Sequence, residues 1–266
     1  FELLTAIFAG EGEEGFDLRT DWQKRKAAML SIAPGQERDV LRDVDSVNFL
    51  QVSTFLHTRR RRNEAAKNGL TGKDLPQISI QRKDLLNLPF DSYSVTADAV
   101  TYGFRKAAAF LNDQKIIWHK DVPYPPQIVA LASFFAAFGR HDPSEPQLQK
   151  ITQWFWSIAL GEEYGSATET KIARDVSELL EWVEGHGAGP RTMREAQFYP
   201  GRLNTLRTRL SAAYKAIHAL LMKQGGRDFI TGRPIDLMTF HNDNIDIHHV
   251  FPQTWCEARG LSGDIY

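Results

Sequence analysis

The sequence predicts a mainly α-helical chain: a helical bundle that gives way, near its C-terminal end, to a mixed α/β element. Three observations carry this expectation. Apolar residues recur at spacings of three and four through most of the chain. Strand-like runs are few before residue 229. The composition also changes near Gly225-Gly226, which divides a helical region over 1–224 from a second unit over 225–266.

Taken in order, Val40, Val44, Val47 and Phe55 fall on one helical stripe, and Val100, Phe104, Ala108 and Leu111 make another. Ile128, Leu131, Phe135 and Phe138 form a third, introduced by Pro125-Pro126 and closed by Gly139, the usual order of helix start and stop signals. Ile172, Val176, Leu179 and Val183 form a fourth. The longest pattern is Leu203, Leu206, Leu210, Ala213, Ile217 and Leu220, which predicts one amphipathic helix ending at Gln224 before Gly225-Gly226. Its opposite face would carry Arg202, Arg207, Arg209 and Lys215. Ile78-Ser-Ile80 reads as a short extended piece, and Asp228-Phe-Ile230 and Ile245 to Phe251 read as strands. Loops are expected around Gly69-Leu-Thr-Gly72, from Gly139 to Pro146 and from Gly185 to Pro190.

Composition narrows the function. The chain has 266 residues and is 42% hydrophobic, enough for a substantial core. Its 32 Lys and Arg nearly balance 33 Asp and Glu, so nucleic-acid binding would need a local patch rather than a global field. A single cysteine, Cys256, excludes a disulfide framework within the chain and fits a reducing, cytoplasmic setting. A buried thiol beside Trp255 is the expectation for it, rather than an activated nucleophile. No apolar run is long enough to span a bilayer, so no membrane partner is expected. The glycine-rich opening Gly10-Glu-Gly-Glu-Glu-Gly15 is acidic and would repel a phosphate, and no Walker or dinucleotide fingerprint occurs. The absence of an initiating methionine and the end at Tyr266 predict a segment of a longer protein.

The stretch with the most chemistry is Ile245-Asp-Ile-His-His-Val-Phe-Pro252. Phosphodiester hydrolysis requires a base that makes a nucleophile from water, and a positive charge that neutralises the phosphate and the leaving oxygen. An imidazole near its own pKa supplies the first and a divalent cation the second. Asp246, His248 and His249 offer these groups within four residues. In a regular strand Asp246 and His248 project to one face and His249 to the other, so a single site requires the strand to end there, and Pro252 provides such an end. By spacing alone, such a pair in an apolar run is more often an ordinary surface strand or a satisfied core pair.

Arg59-Arg-Arg-Arg62 ends a helical run and offers phosphate contacts, set against a solvated helix end favoured by the macrodipole. Trp154-Phe-Trp156 reads as core rather than as a base-stacking platform. His57, His119, His141, His186 and His218 are scattered singly and read as exposed or hydrogen-bonded residues, whereas His241 leads into the histidine motif, in the loop between the two strands, from which it could reach the metal or the DNA.

Asp246-Ile-His-His-Val-Phe-Pro252 resembles the first strand of HNH nucleases, the ββα-metal class: a metal ligand, then the general-base histidine, then two apolar residues and a proline. Together with Arg227-Asp-Phe-Ile-Thr-Gly232, Asn244-Ile-Asp-Ile-His-His249 and Phe251-Pro-Gln-Thr-Trp-Cys256, it resembles the nuclease domain of GmrSD-type modification-dependent restriction proteins. Lys150 to Trp156, Ala167 to Asp175 and Ser211 to Lys215 resemble the helical middle of that family, and Phe1 to Ala6 the last helix of its ParB-like nucleotidase domain.

The resemblance implies a helical region over 1–224, with 1–10 the tail of an N-terminal nucleotidase domain, followed by a partial HNH domain over 225–266. It implies a metal-dependent, DNA-nicking endonuclease of antiphage defence in the bacterial or archaeal cytoplasm. In it His249 is the base and His248 a ligand of Mg²⁺ or Mn²⁺. Asp246 either binds the metal or orients His248 from behind. Modified DNA is the implied partner, with Arg59, Arg60, Arg61 and Arg62 as backbone contacts. The remainder of the polypeptide, or a separate nucleotidase subunit, is the second partner, and oligomers fit the same scheme. Nucleoside triphosphate would act only through the N-terminal domain, whose Asp-Gly-Gln-Gln-Arg motif this sequence lacks. The family's third site residue, an asparagine or histidine on a following helix, has no counterpart between Cys256 and Tyr266 in the expected context.

Two other readings remain from the residues. One reads the helices as an interaction or DNA-binding module that couples a nucleotide-driven sensor to an effector and is inactive as this chain alone. A structural zinc site at His248 and His249 would need further ligands.

Overall fold

The computed structural model describes residues 1–11, 15–33, 36–166, 168–206, 208–228, 231–234 and 251–261. Among these the chain is mainly helical. The helices are α1 (Glu2–Glu11), α2 (Leu18–Leu30), α3 (Ser46–Lys67), α4 (Arg82–Leu85), α5 (Phe90–Asp113), α6 (Pro126–Phe138), α7 (Glu145–Leu160), α8 (Thr168–Val183), α9 (Arg191–Glu195), α10 (Ala212–Lys223) and α11 (Gln253–Glu257). A small antiparallel pair, β1 (Ser31–Ala33) and β2 (Gln36–Glu37), sets Ser31 opposite Glu37 and Ala33 opposite Gln36. No helix among the described residues is long and apolar enough to cross a membrane.

Several helices begin where side chains meet their first backbone groups. Asp17 accepts from the backbone N–H groups of Arg19 and Thr20 at the start of α2, and Ser211 accepts from Tyr214 at the start of α10. At α3, Asp45 and Asn48 form a reciprocal capping box, and at α7 the Gln147 Oε1 accepts from the Ser144 N–H at 2.9 Å. Gly139 closes α6 with φ of 106°, a conformation that a side chain would strain.

The centre of the molecule is the pair α5 and α6. Their backbones approach closely at Gly103, where an added Cβ would lie 2.4 Å from the Ala132 carbonyl oxygen and 2.9 Å from the Ala136 Cβ. Around this pair, α3 packs against both, α8 against α6, α2 against α5, and α7 against α8 and α10. The three predicted stripes on α5, α6 and α8 face this core. Val100, Phe104, Ala108 and Leu111 are buried, as are Ile128, Leu131 and Phe135, and Ile172, Val176, Leu179 and Val183. Phe138 is partly buried and stacks on Phe134. An aromatic group of Phe8, Phe16, Trp22, Phe49, Phe90, Tyr93 and Phe104 joins α1, α2, α3 and α5, with rings 4.8–6.5 Å apart. Trp154 and Phe155 are wholly buried, as expected of core residues.

Two predicted elements differ. Val40, Val44, Val47 and Phe55 do not share one helix. Val40 lies in a 3₁₀ turn (Asp39–Leu41), Asp45 starts α3, and Val47 is exposed. The Leu203 to Leu220 pattern is likewise broken. Pro200–Thr205 form a 3₁₀ turn, Ser211 caps a new helix, and Leu203 and Leu210 are exposed. The buried face of α10 consists instead of Ala212, Ala213, Ala216, Ala219 and Met222. Arg202 is drawn to Glu162 (3.1 Å), Lys215 donates to the Val122 carbonyl (3.2 Å), and Arg207 lies outside the described residues. The predicted stop holds: α10 ends at Lys223, with Gln224 as its C-cap before Gly225, whose φ is 80°. Ile78-Ser-Ile80 is an irregular segment outside any strand, held by Thr58 Oγ1, which donates to the Ser79 carbonyl at 3.1 Å, with Ile80 fully buried.

Candidate nucleic-acid interface

The four arginines predicted to touch DNA lie inside α3, ahead of its end at Lys67. Successive helical residues turn by about 100°, so the run wraps the helix and presents no single patch. Two of the four are tied to the protein. Arg60 donates to the Ser92 hydroxyl at 2.9 Å, with Glu64 3.9 Å from its Nε, and Arg62 donates to the Pro76 carbonyl at 2.9 Å. These contacts fasten α3 to the first turn of α5 and to the connection after α3. Arg59 is half-buried and Arg61 exposed, and neither side chain bonds to a described residue. His57, one turn earlier, is buried against Ser92, Nδ1 to Oγ 2.8 Å. Burial, followed by the charges of Arg61 and Arg60, pushes its pKa below the usual histidine value, which favours its neutral form.

Arg62 also borders a cleft of about 410 Å³ between the 77–81 segment and α8, lined by Gln77, Ser79, Thr170, Arg174 and Glu178 among others. Its charge is mixed. Behind it Asp175 is fully buried, accepting hydrogen bonds from Thr192 Oγ1 (2.7 Å) and the Tyr164 hydroxyl (3.1 Å). Burial pushes its carboxyl up to about 6, against the lowering effect of the Thr192 bond, Arg174 and the Tyr164 bond. Asp175 thus joins α8 to α9 and to the turn that follows α7. A second buried carboxylate, Asp39, faces His119 Nδ1 at 2.8 Å. Burial would raise its pKa, but the two hydrogen bonds from His119 and the charge of Arg42 outweigh that and hold it low.

Asp246, His248, His249 and His241 lie outside the described residues, so the structure places none of the predicted nuclease residues. It does place their flanks. On the N-terminal side, Arg227 and Pro234 form an antiparallel bridge. The turn between them is held by Asp228 Oδ1, which accepts from Thr231 N–H (2.6 Å) and Oγ1 (2.7 Å). Phe229 and Ile230 of the predicted strand there fall outside the described residues. On the C-terminal side, Pro252 begins the short helix α11, and Cys256 on it is 1% exposed, the buried thiol expected from the sequence.

Beside this thiol the surface carries three planar groups in contact. The rings of Phe251 and Trp255 stack with centroids 4.9 Å apart and planes 19° from parallel. The Arg259 guanidinium lies 3.8 Å from the Trp255 ring centroid. Phe251 remains 55% exposed and Trp255 38%, so the stack faces solvent. The sequence reading missed this group. Phe251, Trp255 and Arg259 follow one another at intervals of four, a local spacing visible in the sequence, although only Trp255 lies within α11. Among the described residues no group of three or more histidine, cysteine and carboxylate side chains could hold a metal.

No protein-family model matches the chain, and no solved structure does. The chain is similar to an uncharacterized protein of Methanocaldococcus jannaschii, MJ0686, with 27% identity over 146 residues. That match takes in 53% of this chain and 23% of the archaeal protein, so the aligned part spans less than a quarter of its relative's length.

Proposed function

We propose that the chain is the helical middle and the opening of the HNH element of a metal-dependent endonuclease that nicks modified DNA. The observation that carries this reading is the order Asp246-Ile-His-His-Val-Phe-Pro252, with Arg227 to Gly232 before it and Gln253 to Cys256 after it. In the proposed reaction the neutral imidazole of His249 accepts a proton from water. The resulting hydroxide attacks phosphorus, and the bond to the leaving oxygen breaks. His248, with Asp246 as co-ligand or as its orienting partner, would hold a divalent cation. Bound there, Mg²⁺ or Mn²⁺ would neutralise charge on the phosphate. Arg59 and Arg61, whose side chains bond to no described residue, are the members of the run best able to meet the DNA backbone.

The parent protein is the place to test this reading. Supercoiled plasmid, with and without base modification, is incubated with it in Mg²⁺, Mn²⁺ or EDTA, with and without nucleotide. Nicking of modified plasmid that EDTA abolishes and that His248→Ala reduces supports the proposal. Absence of nicking under every condition favours a second reading, a helical module that couples a nucleotide-driven sensor to a separate effector. The extensive helical core of the described residues is compatible with either.

A further inference from the structure

We propose that Phe251, Trp255 and Arg259 form a stacking platform for an unpaired nucleobase of the DNA strand at the nuclease site, a role that rests on the endonuclease reading. A surface does not ordinarily hold two large aromatic rings in parallel contact, both more than a third exposed, with a guanidinium against one of them. The arrangement has the two parts that single-strand recognition uses. Phe251, 55% exposed, offers a π surface on which any base can stack. Trp255, in contact with both neighbours, keeps that ring oriented. Arg259 is exposed, and contact with the Trp255 ring orients its charge while leaving donors for a phosphate oxygen.

Local hydrogen bonds shape the segment that carries the platform. Pro252 precedes α11, the Trp255 and Cys256 N–H groups bond back to its carbonyl at 2.9 and 3.1 Å, and the Cys256 side chain is buried. Leu261 N–H returns to the Cys256 carbonyl at 3.1 Å and closes the segment behind Arg259. Sequence places the platform at the proposed chemistry. Phe251 follows His249 by two residues, a separation that the chain spans in at most about 7 Å. A strand whose phosphodiester meets His249 therefore brings a neighbouring base within reach of Phe251. Reading a base outside the double helix also suits an enzyme that must inspect a modified nucleotide, because modified groups become accessible when the base leaves the stack.

The test measures binding of the intact protein in EDTA, so that no cleavage occurs, to a labelled oligothymidylate and to an abasic oligonucleotide of the same length. Both carry the same phosphates, and only one carries bases. The wild type is expected to bind the base-bearing strand about tenfold more tightly than the abasic one. Phe251→Leu, which keeps apolar bulk and loses the π face, is expected to abolish that preference, and Phe251→Trp to retain it. Arg259→Gln should weaken binding of both strands and reduce its salt dependence. Far-UV circular dichroism confirms that each variant is folded. Equal wild-type affinity for the two strands, or a full preference surviving in Phe251→Leu, overturns the inference. Plasmid nicking by the same preparations separates the two claims. Nicking without a base preference leaves the nuclease reading standing and sinks the platform. A base preference lost in Phe251→Leu, with no nicking in any metal, does the reverse.

Discussion

Asp175 shows how a single side chain couples packing to pH. In the unfolded chain its carboxyl ionises near 3.8, whereas in the fold burial delays ionisation to about 6. Between these values the folded state holds more protons than the unfolded state. Stability from this residue is therefore fully present at acidic pH and is lost as pH rises through that window. The loss amounts to about 3 kcal/mol at most, at 1.36 kcal/mol per pH unit. Asp175→Asn should remove the dependence. Urea denaturation across that interval should show the wild type losing stability relative to the variant as pH rises, and parallel curves would show that Asp175 does not titrate there. The sequence marked Ala167 to Asp175 only as part of a resemblance. Nothing in it signalled that Asp175 would be buried, because the partners Tyr164 and Thr192 sit 11 and 17 residues away and meet it only through the fold. The stack at Phe251, Trp255 and Arg259 was more accessible, since its spacing is local.

Among the elements, α5, α6 and α8 were legible because one dominant apolar face decides each helix and ordinary start and stop residues frame α6. The α10 pattern misled for a physical reason. Leucine spacing continues from Leu203 to Leu220, but Pro200 favours a tight turn and the Ser211 hydroxyl captures the Tyr214 N–H, so the helix starts late. Its alanine face then takes over the packing. At the α5–α6 crossing, Gly103→Ala should cost about 1–3 kcal/mol, because the new methyl group meets the Ala132 carbonyl and the backbone must move. A chemical denaturation midpoint equal to that of the wild type would contradict this close approach. On α3 the expectation is different. Arg61→Ala should leave stability within about 0.5 kcal/mol. It should also lower the slope of log affinity against log salt for duplex DNA by about 1 if the side chain meets a phosphate. An unchanged slope removes Arg61 from the interface. Arg62→Ala should instead reduce stability, since it releases the Pro76 carbonyl.

For the whole molecule, the main cluster of buried apolar side chains runs from Leu4 to Ala219, and Cys256 is buried outside it. A chain truncated after Gln224 should therefore still unfold cooperatively, with its helical circular dichroism retained, and a broad, non-cooperative transition would show that the later residues complete the core. The mainly α class was readable from periodicity alone, because helices need only local spacing to declare themselves. The proposed catalytic centre was readable only as a short ordered motif. Its residues lie in a segment outside the described part of the chain, and the HNH pattern that the motif resembles calls for a third residue that this sequence does not supply in context. The central claim is thus a chemical one about His249. The most direct measurement is plasmid nicking by the parent protein carrying His249→Ala, with DNA binding measured in parallel. The account predicts a loss of nicking rate on the order of a hundredfold or more with binding retained. A nicking rate equal to that of the wild type would contradict it.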